Sequence, residues 1–87
     1  MKKGKTKSGF TYSVNDKMGD DMELLEALAK LDQGDVTVVP MVLDRILGEK
    51  QKRKLYDHVR EEDGRVPITR ISTELADIFK GDELKKS

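Results

Sequence analysis

The chain has 87 residues, 39% of them charged, and its 17 basic and 17 acidic side chains cancel to a formal net charge of zero. A single domain of this length buries only about 60–65% of its extended surface, which leaves a thin margin of stability. Cysteine is absent, so disulfides and thiolate zinc sites are excluded; with one histidine, His58, and no thiol, a catalytic triad has too few members.

Aromatic residues make up 5% of the chain and offer little material to line a substrate pocket. The basic start is not followed by the apolar run of a signal peptide, and no stretch nears the roughly 18 apolar residues of a membrane span. These features predict a cytoplasmic protein with no cofactor. The charges fall in blocks. Residues 1–14 carry Lys2, Lys3, Lys5 and Lys7 and no acid, residues 15–35 carry seven acids against Lys17 and Lys30, and residues 44–60 are again basic. Such patches favour charged protein partners or self-association as readily as nucleic acid.

In chain order, residues 1–9 hold Lys, Gly, Thr and Ser after Met1, and predict a disordered basic arm. Phe10, Tyr12 and Val14 then alternate with Thr11 and Ser13, the period of a half-buried strand, with no second strand of similar quality to pair with. The segment is expected either to lie extended across the helices or to add to another chain as an assembly element. Asp20 to Asp32 predicts the first helix, with Asp20 and Glu23 spaced as a capping box, Leu24, Leu25, Leu28 and Leu31 on one face, and Gly34 as the stop.

Val39, Val42, Leu43, Ile46 and Leu47 predict a second helix that starts between Thr37 and Pro40, because Pro40 beyond the first turn would cost about 3 kcal/mol. Gly48 is its expected end. Glu49 to Glu62 predicts a third helix with a narrow stripe of Leu55, Tyr56 and Val59. The turn Asp63-Gly64-Arg65-Val66-Pro67 then leads into a fourth helix over about 67–80, lined by Ile68, Ile71, Leu75, Ile78 and Phe79. The fold expected is all-α, a compact bundle of about four short helices with an extended N-terminal segment. Residues 10–81 form the single helical domain and 82–87 a flexible polar tail.

Candidate chemistry is sparse. His58 reads as a partly exposed helix residue. Asp16, Asp20 and Asp21 lack the twelve-residue loop, central glycine and closing glutamate of a calcium site, so no metal is expected. A helix-turn-helix made of the second helix, Gly48 and the basic third helix (Lys50, Lys52, Arg53, Lys54, Arg60) is the alternative function, a small DNA-binding protein. Asp57, Glu61 and Glu62 on the same helix oppose a phosphate surface, and specific nucleic-acid binding is not expected.

The order and wording of DDMELLEALAKLD, then VVPMVLDRILGEKQKRKLYDHVREEDGRVPI, then an amphipathic closing helix, resembles the small tail assembly chaperones of long-tailed bacteriophages, encoded near the tape measure gene. The resemblance covers roughly residues 10–80. It implies a non-enzymatic chaperone that binds the tape measure protein, helps recruit tail tube subunits, acts in the host cell cytoplasm and is absent from the mature virion. The partner-binding residues expected on this basis are Phe10, Tyr12, Val14, Met22, Leu25, Arg53, Tyr56 and Arg65, with a homo-oligomer as a further possibility.

Overall fold

The computed structural model describes residues 2–86, with side chains described as far as Phe79. The expected all-α class is overturned: three α-helices stand with a two-stranded antiparallel sheet, a small mixed α/β fold rather than four helices. The strands are β1 (Lys2–Lys5) and β2 (Thr11–Val14), paired in the register Lys2↔Val14, Lys3↔Ser13, Gly4↔Tyr12 and Lys5↔Thr11. The partner that β2 lacked in the sequence is the lysine stretch assigned to a disordered arm. β1 was illegible because it carries no apolar alternation; its strand conformation comes from pairing, not from burial of its own side chains.

The hairpin belongs to the core. Phe10 and Val14 are 6% and 1% exposed, and Met18 is buried behind them, so the assembly-element reading of Phe10 to Val14 is also corrected. Tyr12 lies across Gly4, where an added Cβ would stand 2.4 Å from the phenol oxygen; only glycine lets that ring cross β1.

Helix α1 (Met22–Asp32) is capped by Asp21 rather than Asp20: its extended backbone lets Oδ1 accept from the Leu24 N–H at 3.2 Å. It ends where Gly34, at φ 98°, turns the chain. A 3₁₀ turn, Val36–Val38, leads into α2 (Val39–Val59), with Pro40 in the first turn. Gly48, the expected end of the second helix, does interrupt the helical backbone: its φ 80° and ψ 162°, a conformation that is essentially glycine's alone, put a kink between the two arms of α2.

Two interactions hold the bend. Lys52 Nζ reaches Asp44 across it at 2.9 Å, and Gln51 Nε2 donates to the Leu47 carbonyl at 2.7 Å. Bending α2 turns both of its arms onto one core, in which Val42, Leu43, Leu55 and Val59 are fully buried with Ile78. A straight helix of 21 residues would run about 31 Å and carry one arm off the domain.

After Pro67, helix α3 (Ile68–Lys86) packs Ile71, Leu75 and Ile78 inward and continues past Gly81, where the sequence predicts a stop and a flexible tail. Ser87, the end of that expected tail, lies outside the described residues. Among the described residues, no helix is long and apolar enough to cross a membrane.

Candidate functional site

Three elements converge on an apolar groove of about 410 Å³. Its walls are Val36, Thr37, Val39 and Pro40 from the entry to α2, Tyr56 from the second arm of α2, and Val66, Ile68 and Ile71 from the turn and start of α3. Local capping places each wall. Asp35 Oδ1 accepts from the Thr37 N–H at 3.1 Å and from the Thr37 hydroxyl, and these bonds fix the 3₁₀ turn that presents Val36.

On the opposite side, Gly64 donates to the Glu61 carbonyl at 2.9 Å and Arg60 Nη1 donates to the Gly64 carbonyl at 2.8 Å, so the turn delivers Val66 and Pro67 in a set position. Tyr56 is half-buried, with Lys52 Nζ 6.0 Å from its ring centroid. Two of the chain's large exposed apolar side chains, Val36 and Ile68, the latter 62% exposed, stand at this groove. It has the character of a surface that accepts apolar side chains from another molecule.

Of the residues expected to bind partners, only Tyr56 lies in this groove. Met22 and Leu25 are 69% and 59% exposed, three residues apart on α1, and line none of the groove. Arg53 and Arg65 are exposed but already paired, Arg53 with Glu49 at 3.4 Å, Arg65 with Glu61 at 2.9 Å and Asp63 at 3.3 Å. Phe10 and Val14 are core residues, and Tyr12 is half-buried against Gly4; Phe10 and Tyr12 also line a second, larger groove beside the hairpin. Val36, Pro40, Val66 and Ile68 were missed. A run of β-branched residues at a helix entry and an isoleucine at the exposed start of the next helix are the signals that pointed to them.

A second, polar constellation joins residues far apart in sequence. Glu74, 4% exposed on α3, accepts from Thr6 Oγ1 through Oε1 and from Ser8 Oγ through Oε2, both at 2.7 Å. Ser8 Oγ also lies 2.9 Å from His58 Nε2, and the His58 ring is tilted on Phe10 with centroids 5.6 Å apart. With the Ser8 hydrogen donated to Glu74, the His58 tautomer that satisfies the Ser8 contact carries its proton on Nε2, and no carboxylate is bonded to the other ring nitrogen among the described residues. The cluster fastens the hairpin loop to α2 and α3.

The acidic segment is held by α2. Arg45 Nε bonds Asp21 Oδ2 at 3.1 Å and its Nη2 bonds Glu23. The Leu24 N–H first, and Arg45 second, keep the Asp21 carboxyl below its ordinary range; the bond from the Thr37 hydroxyl does the same for Asp35. Asp21, weighed above as one of three calcium-type acids, is thus committed to a helix cap and an ion pair. Among the described residues, no group of three or more histidines and carboxylates is placed to hold a metal ion. No protein-family model, curated protein or solved structure matches the chain.

Proposed function

We propose that the chain is a non-enzymatic tail assembly chaperone of a long-tailed bacteriophage, acting in the host cytoplasm and absent from the finished virion. Its apolar groove takes the apolar stripe of a tape measure helix and keeps that protein soluble until tail tube subunits are recruited. The family reading rests on the resemblance of residues 10–80 to those chaperones. The observation that supports a protein-binding role is the groove, walled by Val36, Pro40, Tyr56, Val66, Ile68 and Ile71 and left with Ile68 in solvent. Helix-in-groove recognition uses apolar anchors at i, i+3, i+4 and i+7, and an open apolar channel between helices is the receptor such anchors need.

The helix-turn-helix alternative draws less support. Of the five basic residues in that reading, Lys52 and Arg53 on the second arm of α2 and Arg60 just past its end are matched by acids at 2.9, 3.4 and 3.1 Å, which leaves Lys50 and Lys54, and a matched cation releases fewer phosphate counterions. The test is co-expression with the long coiled-coil tape measure protein that this reading expects to be encoded beside this chain. The wild type should render it soluble and co-purify with it, while Ile68→Asp with Val36→Asp should abolish capture without lowering the melting temperature. A tape measure protein equally soluble alone, or captured equally by the double variant, removes this reading.

A further inference from the structure

A larger open groove, of about 770 Å³, runs between the hairpin and the second arm of α2, and its walls include Lys3, Thr11, Tyr12, Gln51, Lys54 and His58. It shares no lining residue with the apolar groove and mixes polar and charged walls with the rings of Phe10 and Tyr12. We propose that it binds an extended acidic peptide segment of a partner protein, one peptide unit of which pairs with the main chain of Thr11 while flanking carboxylates meet Lys3 and Lys54.

The first support is the edge of β2. Thr6 N–H donates to the Phe10 carbonyl at 2.9 Å, so residues 10, 12 and 14 face β1 and the main-chain groups of Thr11 and Ser13 point away from it. At Ser13 both groups are engaged by one side chain: the N–H donates to Gln51 Oε1 and the carbonyl accepts from Gln51 Nε2, each at 2.8 Å. A carboxamide is a peptide group in miniature, so Gln51 stands where one amide of an added strand would stand. Thr11, two residues and about 7 Å further along, has the same outward-directed pair and lines the groove, and no side chain among the described residues is bonded to that pair.

The second support is charge. The arginines and Lys52 of α2 are matched by acids, and the one acid of the groove, Asp57, is held by Arg60 at 3.1 Å. Lys3 and Lys54 have no acid partner among the described residues, and they face one groove from two different elements. Unmatched lysines beside an open strand edge reject a second lysine-bearing β1 and favour a strand that carries carboxylates. A nucleic acid would use the same lysines, but its backbone carries no N–H and C=O pair to continue the ladder at Thr11, so the edge favours a peptide.

The probe is the octapeptide acetyl-(Glu-Thr)₄-amide, with acetyl-(Gln-Thr)₄-amide and an eight-nucleotide oligothymidylate as comparisons, added to the full chain at about 0.05 M salt. Binding of the acidic peptide should shift the Thr11 amide resonance and slow its hydrogen exchange. Lys3→Gln and Lys54→Gln should each weaken binding about three-fold, and the pair about ten-fold. Both lysines are exposed, and unchanged circular dichroism checks that the variants remain folded. Equal binding of the glutamine peptide overturns the proposal. So does tighter binding of the oligothymidylate with the Thr11 amide unmoved, which would make the groove a polyanion site. Loss of tape measure capture with the octapeptide still bound would remove the chaperone reading alone.

Discussion

Thr6 Oγ1 donates to Glu74 Oε1 at 2.7 Å across 68 residues of sequence, and the same hydroxyl oxygen accepts from the Phe10 N–H at 3.2 Å. One buried threonine thus connects the hairpin's turn to α3. Its partner carboxylate takes a second hydroxyl from Ser8, so both of its oxygens are satisfied inside the fold.

Glu74→Ala should therefore cost about 2–3 kcal/mol, because it removes two hydrogen bonds to a charged acceptor and leaves the Thr6 hydroxyl buried with fewer partners. Urea unfolding measures the loss. Amide exchange should show the hairpin opening first, ahead of α2, and a variant as stable as the wild type would mean that the cluster carries no load.

Deletion of residues 1–14 should unfold the domain. It takes Phe10 and Val14 out of the single core cluster that they share with Leu55 and Val59, in a protein whose total stability is of the order of 5–15 kcal/mol. Circular dichroism of the truncated chain decides the point: retained helix with a sharp melt would return the hairpin to the role of a detachable element.

Gly48→Ala should destabilise by about 1–3 kcal/mol. A Cβ at this position meets nothing within 4 Å, so the cost is one of backbone conformation and not of collision. At φ 80° and ψ 162° an alanine is strained, and relief by straightening α2 would break the Lys52–Asp44 pair that spans the kink. A melting temperature equal to the wild type's would show the bend to be tolerated by any residue.

In the core, Leu43→Ala and Ile71→Ala should each cost about 2–5 kcal/mol, since both side chains are buried and the helices around them can close the cavity only in part. Thermal melts of the two variants test the packing of α2 against α3 directly.

Stability should fall with acid in a way that Asp21 partly controls. Its carboxyl is depressed in the folded state by the Leu24 N–H and by Arg45, so the unfolded chain binds a proton at a higher pH than the folded one. The contribution is present in full above the ordinary aspartate value of about 3.9 and is lost as pH falls through the folded value. Urea midpoints between pH 5 and pH 2 should decline less steeply for Asp21→Asn than for the wild type. Parallel curves would mean that the cap and the Arg45 pair do not couple to folding.

What the sequence determined by itself was local. Periodicity placed Leu24, Leu43, Ile46, Leu55 and Ile71 toward a helical core, Pro40 set the start of α2, and Gly34 and Gly64 marked turns, because caps and apolar spacing act within four residues of the chain. The tertiary structure decided everything that joins distant segments. Lys2–Lys5 becomes a strand only beside Thr11–Val14, Gly48 becomes a kink because both arms of α2 share one core, and Glu74 is buried because Thr6 and Ser8 arrive from the other end of the chain. The two grooves belong to the same class. Tyr56 gives no sign in sequence that it will face Val36 and Ile68, nor Lys54 that it will face Lys3, since pairings of that range depend on how the helices pack and leave no period in the sequence to read.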